Sequence, residues 1–133
     1  MTQLRGEAPL RSEHDIVFAR QQVRRLTQEL GFSLVDQTKM VTAASELARN
    51  AYIYGGGGAM IWELVQNGSR NGLKLLFADE GPGIPDMNLA MTDGWTSGKG
   101  LGMGLTGAKR LVNDFEIDSR VGVGTRVTIV RWK

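Results

Sequence analysis

The amino-acid sequence predicts an α+β protein, a two-layer fold with helices on one face of a mixed, mostly antiparallel sheet. Three observations predict it. Apolar residues recur at helical spacing in two segments near the N-terminus. The period then shortens to two in a pair of apolar runs flanked by Asn-Gly dipeptides. A third helical segment leads into a second such pair. Helices and hairpins in blocks indicate two packed layers. The 133 residues suffice for one core and leave little for a second, so residues 1–133 are read as a single domain.

Residues 1–8 read as a loose leader, followed by a short extended piece at Pro9–Glu13. Ile16, Val17, Val23, Leu26 and Leu30 place a helix over 14–30. Ser12 with Asp15 is its start signal and Gly31 its stop. Ser33 with Asp36 opens a second helix that runs to about Tyr54. Val41, Ala44, Leu47, Ala48 and Ala51 form its apolar face, and Gly55–Gly58 close it. Ala59–Gln66 and Leu73–Asp79 read as an antiparallel hairpin, with Asn67-Gly68 and Asn71-Gly72 as turn dipeptides. Residues 80–100 hold Pro82, Pro85 and many glycines and read as loop, with a helical turn near Asp86–Met91. Gly102–Asp114 reads as a third helix, with Leu105, Ala108, Leu111 and Val112 inward. Phe115–Val121 and Thr125–Trp132 are the last two strands, joined at Gly122-Val123-Gly124.

Composition narrows the function classes. The chain has no cysteine, which excludes a disulfide scaffold and a thiolate metal site. No apolar run reaches membrane-spanning length, and the first residues lack a signal-peptide segment; the expectation is a cytoplasmic protein with no membrane partner. Sixteen basic and fourteen acidic side chains leave a net charge of +2. The basic residues are scattered, with no aromatic-interleaved cluster, so no nucleic-acid partner is expected. The informative excess is glycine, 18 residues crowded into Gly55–Gly58, Gly81–Gly83, Gly94–Gly107 and Gly122–Gly124. Glycine in bunches marks backbone in unusual conformations or close to a ligand.

Three clusters carry possible chemistry. Glu46 and Asn50 are neighbours on one helix face, in a stripe with Lys39, Thr42 and Ala43. By themselves they suit a solvated face; as a site they pair a proton-accepting carboxylate with a hard amide oxygen able to hold Mg²⁺. Asp79 ends a strand whose Leu73, Leu75 and Phe77 point the same way. It either opens a simple turn or offers a carboxylate at the edge of an apolar surface where a flat base can lie, with Gly81 and Gly83 letting backbone approach. Gly98-Lys99-Gly100-Leu101-Gly102-Met103-Gly104 precedes the third helix. It is either a flexible loop or a phosphate cradle of exposed amides at a helix N-terminus, with Lys99 adding charge. The P-loop pattern is absent. Gly102-x-Gly104-x-x-Gly107 matches a dinucleotide fingerprint, but no strand leads into it, and that context is required. His14, the sole histidine, fits a helix start; Tyr52, Tyr54, Trp62 and Trp132 fit core or rim.

In this order and spacing, Glu46…Asn50, Asp79-x-Gly81-x-Gly83, Gly98–Gly104 and Gly124-Thr125 resemble the N box, the two glycine boxes and the closing Gly-Thr of the GHKL ATPase/kinase superfamily. The resemblance covers about residue 10 to the end. It implies a Bergerat fold with ATP between helices and sheet. It implies Glu46 as general base, Asn50 as Mg²⁺ ligand, Asp79 as adenine reader, Gly83 as backbone neighbour of the base, Thr125 as support near Asp79, and Asp93–Leu101 as a short ATP lid. Ser45–Asn50, Asp79–Asp86 and Gly100–Leu105 look most like the stand-alone serine/threonine kinases related to anti-sigma factors that act as stressosome switches. That branch implies a STAS-domain substrate and, after release, activation of a PP2C-type phosphatase. The alternative is an anti-sigma factor or nucleotide-dependent binding module without essential kinase activity. A histidine-kinase catalytic domain lacks its phosphoacceptor helices here. A gyrase- or mismatch-repair-type ATPase would lack the second domain that brings a lysine to the phosphate.

Overall fold

A computed structural model describes residues 4–83 and 101–133, residues 101–104 by backbone alone. The elements are β1 (Arg5–Leu10), α1 (Glu13–Glu29), α2 (Leu34–Ile53), β2 (Gly58–Asn67), β3 (Arg70–Asp79), α3 (Leu101–Arg110), β4 (Asp114–Arg120) and β5 (Gly124–Trp132). The strands form one sheet in the order β1-β2-β3-β5-β4, and each of these ladders is antiparallel. The helices pack on one face, with α2 touching both α1 and α3. This is the expected two-layer α+β architecture. The helical turn expected near Asp86–Met91 lies outside the described residues.

Both helix starts follow the predicted chemistry. Ser12 Oγ accepts from Asp15 N at 3.1 Å and Ser33 Oγ from Asp36 N at 3.1 Å, each satisfying one amide that the first helical turn leaves without a partner. Gly31, at φ +79°, turns the chain after α1 in the left-handed region that glycine enters at little cost. The core lies between the layers. Ile16, Ala19, Val23 and Leu26 of α1 and Met40, Val41, Ala44, Leu47, Ala48 and Ala51 of α2 are buried against Met60, Trp62, Leu73, Leu75, Phe77, Val127 and Ile129 of the sheet. Alternate strand residues thus line one face, as the period of two requires. Ala43, grouped by sequence with the Glu46–Asn50 stripe, is buried instead.

Three expectations are corrected. The described part of the N-terminal leader is no leader: Arg5–Leu10 pair with Gly58–Glu63 as an edge strand. Its inward residues are Gly6, Ala8 and Leu10, and Gly6 has no room for a Cβ beneath the Trp62 ring. Asn71-Gly72 does not turn. It lies inside β3, where a Cβ on Gly72 would come within 2.6 Å of the Trp132 ring; the hairpin turns at Asn67–Arg70, with Gly68 at φ +62°. The third helix ends at Arg110, because Asn113 N–H already bonds Val130 O at 3.0 Å and Asp114 opens β4.

A polar tie crosses the layers. Arg131 on β5 donates to Leu111 O at 2.8 Å, just past α3, and to Asp36 Oδ1 at 2.6 Å in the first turn of α2. The Arg131 hydrogen bond, more than any other influence, holds the Asp36 carboxyl below the ordinary 3.8. A lowered folded pKa contributes stability above the unfolded value that fades as pH falls through the folded one. Arg131→Ala should therefore lower stability at neutral pH by about 1–3 kcal/mol. The gap from wild type, measured by urea unfolding, should shrink as pH drops below the ordinary carboxylate range.

Candidate functional site

The inward face of β3 ends on a charge. After Leu73, Leu75 and Phe77, all buried, the alternation brings Asp79 to the same face at the strand's end. Asp79 Oδ1 accepts two backbone N–H groups, from Gly81 at 2.9 Å and from Thr125 at 3.3 Å. The first closes an Asx-type turn after β3; the second ties that turn to the start of β5. Burial pushes the Asp79 carboxyl above its ordinary 3.8, and the two N–H donors only partly oppose the shift.

Glycines make this corner possible. Asn50 O accepts from both Tyr54 N and Gly55 N, at 2.9 and 3.2 Å, which ends α2. Gly55 then lies against the Asp79 side chain: a Cβ there would sit 2.6 Å from Asp79 Cβ and Oδ2. A Cβ on Gly81 would lie 2.6 Å from Gly55 Cα, and one on Gly83 would lie 2.7 Å from the Arg120 carbonyl carbon. Gly124, at φ +142°, has no room for a Cβ against Asp79 O. The expectation that Gly81 and Gly83 spare space for a ligand is thus joined by a second cause, since the chain's own backbone fills the space their side chains would need.

Between the layers at this corner lies a cavity. Asn50 and Tyr54 of α2, Phe77 and Asp79 of β3, Leu105 of α3 and Thr125 and Val127 of β5 form its walls, with Leu47, Ala51, Gly55 and Gly83 completing them. The structure therefore brings together Asn50, Asp79, Gly83 and Thr125, as the sequence expects. Gly81 stands beside them through its bond to Asp79. Glu46 is not among the cavity residues; it is exposed on α2, one turn before Asn50. Arg49 is exposed on α2 and lies 3.5 Å from Glu13. Leu101, Gly102, Met103 and Gly104 form the first turn of α3. Lys99 and Gly100, with Asp93–Gly100 of the expected lid, lie outside the described residues.

Sequence reasoning missed three contributors. Gly55 reads as a helix stop within one of the glycine bunches and not as a neighbour of Asp79, Tyr54 only as core or rim, and Val127 only as one apolar residue of a strand. The four-glycine run after α2 holds the one available signal, since closing a helix does not require four glycines.

The donor set suits a polar, anionic ligand at one end and a flat, amino-bearing one at the other. Asn50 Nδ2 is buried and has no hydrogen-bond partner among the described residues. An unpartnered buried amide costs free energy until something bonds it. Its oxygen is the kind of hard donor Mg²⁺ takes. Leu101–Gly104 form the first turn of α3, where amides lack intrahelical partners and can suit phosphate oxygens.

Comparison with known proteins places the chain in a family. The family described as "Histidine kinase-, DNA gyrase B-, and HSP90-like ATPase" matches residues 35–133. A curated relative from Bacillus subtilis (strain 168), named "Serine/threonine-protein kinase RsbT", is 47% identical over 121 residues, 91% of each chain. Among solved structures, the RsbU and RsbW domains of a Mycobacterium tuberculosis protein superpose with a TM-score of 0.67 at 19% identity. That match covers 97% of this chain and 33% of that one, so the chain spans a third of the length of that two-domain structure. A mycobacterial sensor histidine kinase, MprB, superposes with a TM-score of 0.58 at 18% identity, 96% of each chain being covered. At such identities these structures share the fold.

The Asp79 environment makes a stability prediction. A raised folded pKa contributes stability below the unfolded value and loses it as pH rises through the folded one, so ionised Asp79 is a liability to the ligand-free fold at neutral pH. Asparagine keeps an Oδ1 for both N–H donors and carries no charge. Asp79→Asn should therefore raise the unfolding temperature of the ligand-free protein at neutral pH, and the gain should vanish below the ordinary carboxylate range. Thermal scans across pH read both.

Proposed function

We propose that this chain, a member of the histidine kinase-, DNA gyrase B-, and HSP90-like ATPase family, is a protein serine/threonine kinase that takes its phosphoryl group from ATP bound between α2 and the β3–β5 floor. The observation that carries the reading is one cavity lined by the half-buried Asp79 carboxylate and the unpartnered Asn50 amide, in a chain 47% identical to a named serine/threonine kinase over nearly its full length.

In this reading each residue has its own role. Asp79 accepts the exocyclic amine of adenine, a charge-assisted bond of about 1.5–3 kcal/mol. Phe77 and Val127, on adjacent strands, give the ring an apolar bed. Asn50 Oδ1 would hold Mg²⁺, which supplies charge neutralisation at the phosphates. The amides of Leu101–Gly104 at the head of α3, with Lys99 and Gly100 before them, receive the phosphate oxygens. Glu46 takes the proton of the acceptor hydroxyl. That oxygen bonds to the γ-phosphorus, the bond from phosphorus to the β,γ-bridging oxygen breaks, and ADP leaves. Phosphoryl transfer rests mainly on positioning and charge stabilisation, so few protein groups are needed. Glu46 faces solvent rather than the cavity, which suits a base that meets a hydroxyl brought by another protein.

The substrate in this reading is a serine or threonine of a STAS-domain scaffold or antagonist. Once the phosphorylated partner dissociates, the kinase binds and activates a PP2C-type phosphatase in a stress-signalling switch. Support comes from the similarity to RsbT and from the stressosome-kinase resemblance of the glycine boxes. A cytoplasmic location fits such partners, and no helix among the described residues is long and apolar enough to cross a membrane.

The exposure of Glu46 also favours a second reading, a nucleotide-dependent binding module akin to an anti-sigma factor. Glu46→Gln separates the two. A kinase should keep its ATP affinity within about twofold and lose at least a hundredfold in phosphate transfer to a STAS-domain partner, consistent with loss of a general base. Unchanged transfer removes Glu46 from the chemistry, and absence of transfer by the wild-type protein despite ATP binding leaves the binding module.

A further inference from the structure

The described helices pack on one face of the sheet, and none of them covers the other. Leu75 and Phe77 of β3 are buried in the core, so the alternation turns Leu76 to that outer face. The ladder registers carry a row across all five strands at this level. Glu7 on β1 opposes Ile61 on β2, Ile61 opposes Leu76, Leu76 opposes Thr128 on β5, and Thr128 opposes Glu116 on β4. Ile61, Leu76 and Thr128 are half-buried, and both glutamates are exposed. The row is therefore a largely apolar centre with a carboxylate at each edge of the sheet. Beside it Ala59 opposes Ala78 on the same face, which keeps the floor low.

The other charges of this face stand beside opposite signs. Arg5, Glu63 and Lys74 follow one another across β1, β2 and β3, and Arg126 opposes Asp118, which also meets Arg120 at 3.6 Å. Glu7 and Glu116 oppose no cation, and among the described residues neither makes an ion pair. An aligned face-to-face pairing of two copies that stacks the row on itself sets Glu7 against Glu116, or each glutamate against its counterpart. Like charges so placed disfavour a second copy. A strand added at one edge reaches only one of the two glutamates. Four strand spacings of about 4.8 Å put them roughly 19 Å apart. A helix about 10–12 Å across with its side chains fits between them along the strands, and Lys or Arg on its flanks can reach both.

We infer that this outer face is a docking surface for an amphipathic helix of a partner protein. The helix sets an apolar stripe on Ile61, Leu76 and Thr128 and a basic residue on each flank, one for Glu7 and one for Glu116. Such a helix anchors through residues three and four apart, and the charge pairs fix which helix is accepted. The surface is separate from the cavity, which lies between the sheet and the helices, so the inference stands apart from the nucleotide reading.

The test titrates the full chain by calorimetry with two 18-residue helical peptides. One has a leucine stripe flanked on both sides by lysine; in the other every flanking lysine is glutamate. Wild type should bind the lysine peptide at least about tenfold more tightly, the size expected of two close charge pairs. Glu7→Lys/Glu116→Lys should invert that preference, which a loss of stability alone does not do. Glu13→Lys/Glu29→Lys, with the same net charge but the changes on α1, should keep the wild-type preference. Leu76→Asp should weaken the lysine peptide about tenfold or more. Equal binding of the two peptides by wild type, no inversion in the Glu7/Glu116 variant, or inversion in the α1 variant overturns the inference. The single changes Glu7→Lys and Glu116→Lys should each weaken the lysine peptide; an effect of only one means an edge-bound peptide and overturns the helix. Sedimentation of wild type should show a monomer. A dimer that Leu76→Asp dissociates puts a second copy on this face and overturns the inference as well.

Discussion

A carboxylate drawn partly out of water costs free energy unless it is hydrogen-bonded, and the corner of this protein is arranged around one. Asp79 is carried to the cavity by a strand whose other inward residues are all apolar. Two backbone N–H groups meet its Oδ1, one from its own turn and one from β5. These donors keep the side chain fixed without neutralising it, and burial still holds its pKa high. The ligand-free fold thus retains a polar group that a ligand amine can satisfy. A similar tension exists at Asn50, whose amide nitrogen is buried without a partner among the described residues.

The rest of the corner serves that placement. A Cβ on Gly55 or Gly124 would meet Asp79, and one on Gly81 would meet Gly55, so the end of α2, the turn after β3 and the start of β5 converge on one corner. Gly122 N–H bonds Pro82 O at 2.9 Å, which fastens the β4–β5 hairpin to the same turn. At the other end of the sheet Arg131 joins β5 to the first turn of α2 and to the residue after α3. The two helices that flank the cavity are therefore tied to the strand that forms its floor. Dense packing transmits small displacements rather than absorbing them, so changes at these ties should be felt at the ligand.

The parts of the fold that were legible in the sequence are those whose residues signal by hydrophobic period or by caps. Ser12 and Ser33 announce α1 and α2, and Leu73, Leu75 and Phe77 announce β3 and the direction of Asp79. β1 was not legible because its inward face consists of Gly6, Ala8 and Leu10, and the first two are too small to register as apolar. Asn71-Gly72 misleads because its glycine makes room for the Trp132 ring rather than for a turn. Within the site, Asn50, Asp79 and Thr125 emerge from motif order. Gly55 does not, because its contribution lies in a contact across elements: it gives Asp79 room. Such contacts depend on how the elements meet, which the sequence specifies only through the completed fold.

In the proposed reading, Asp79 is an ionisable group whose cost of burial a bound adenine would relieve. The most direct measurement is the titration of its carboxyl carbon by NMR, in the ligand-free protein and with saturating ATP. A pKa above the ordinary carboxylate value that falls when ATP binds is the expected result, since a hydrogen bond to the charged form favours that form. A carboxyl that titrates at its ordinary value in the free protein and does not move with ATP would contradict the central role given to Asp79.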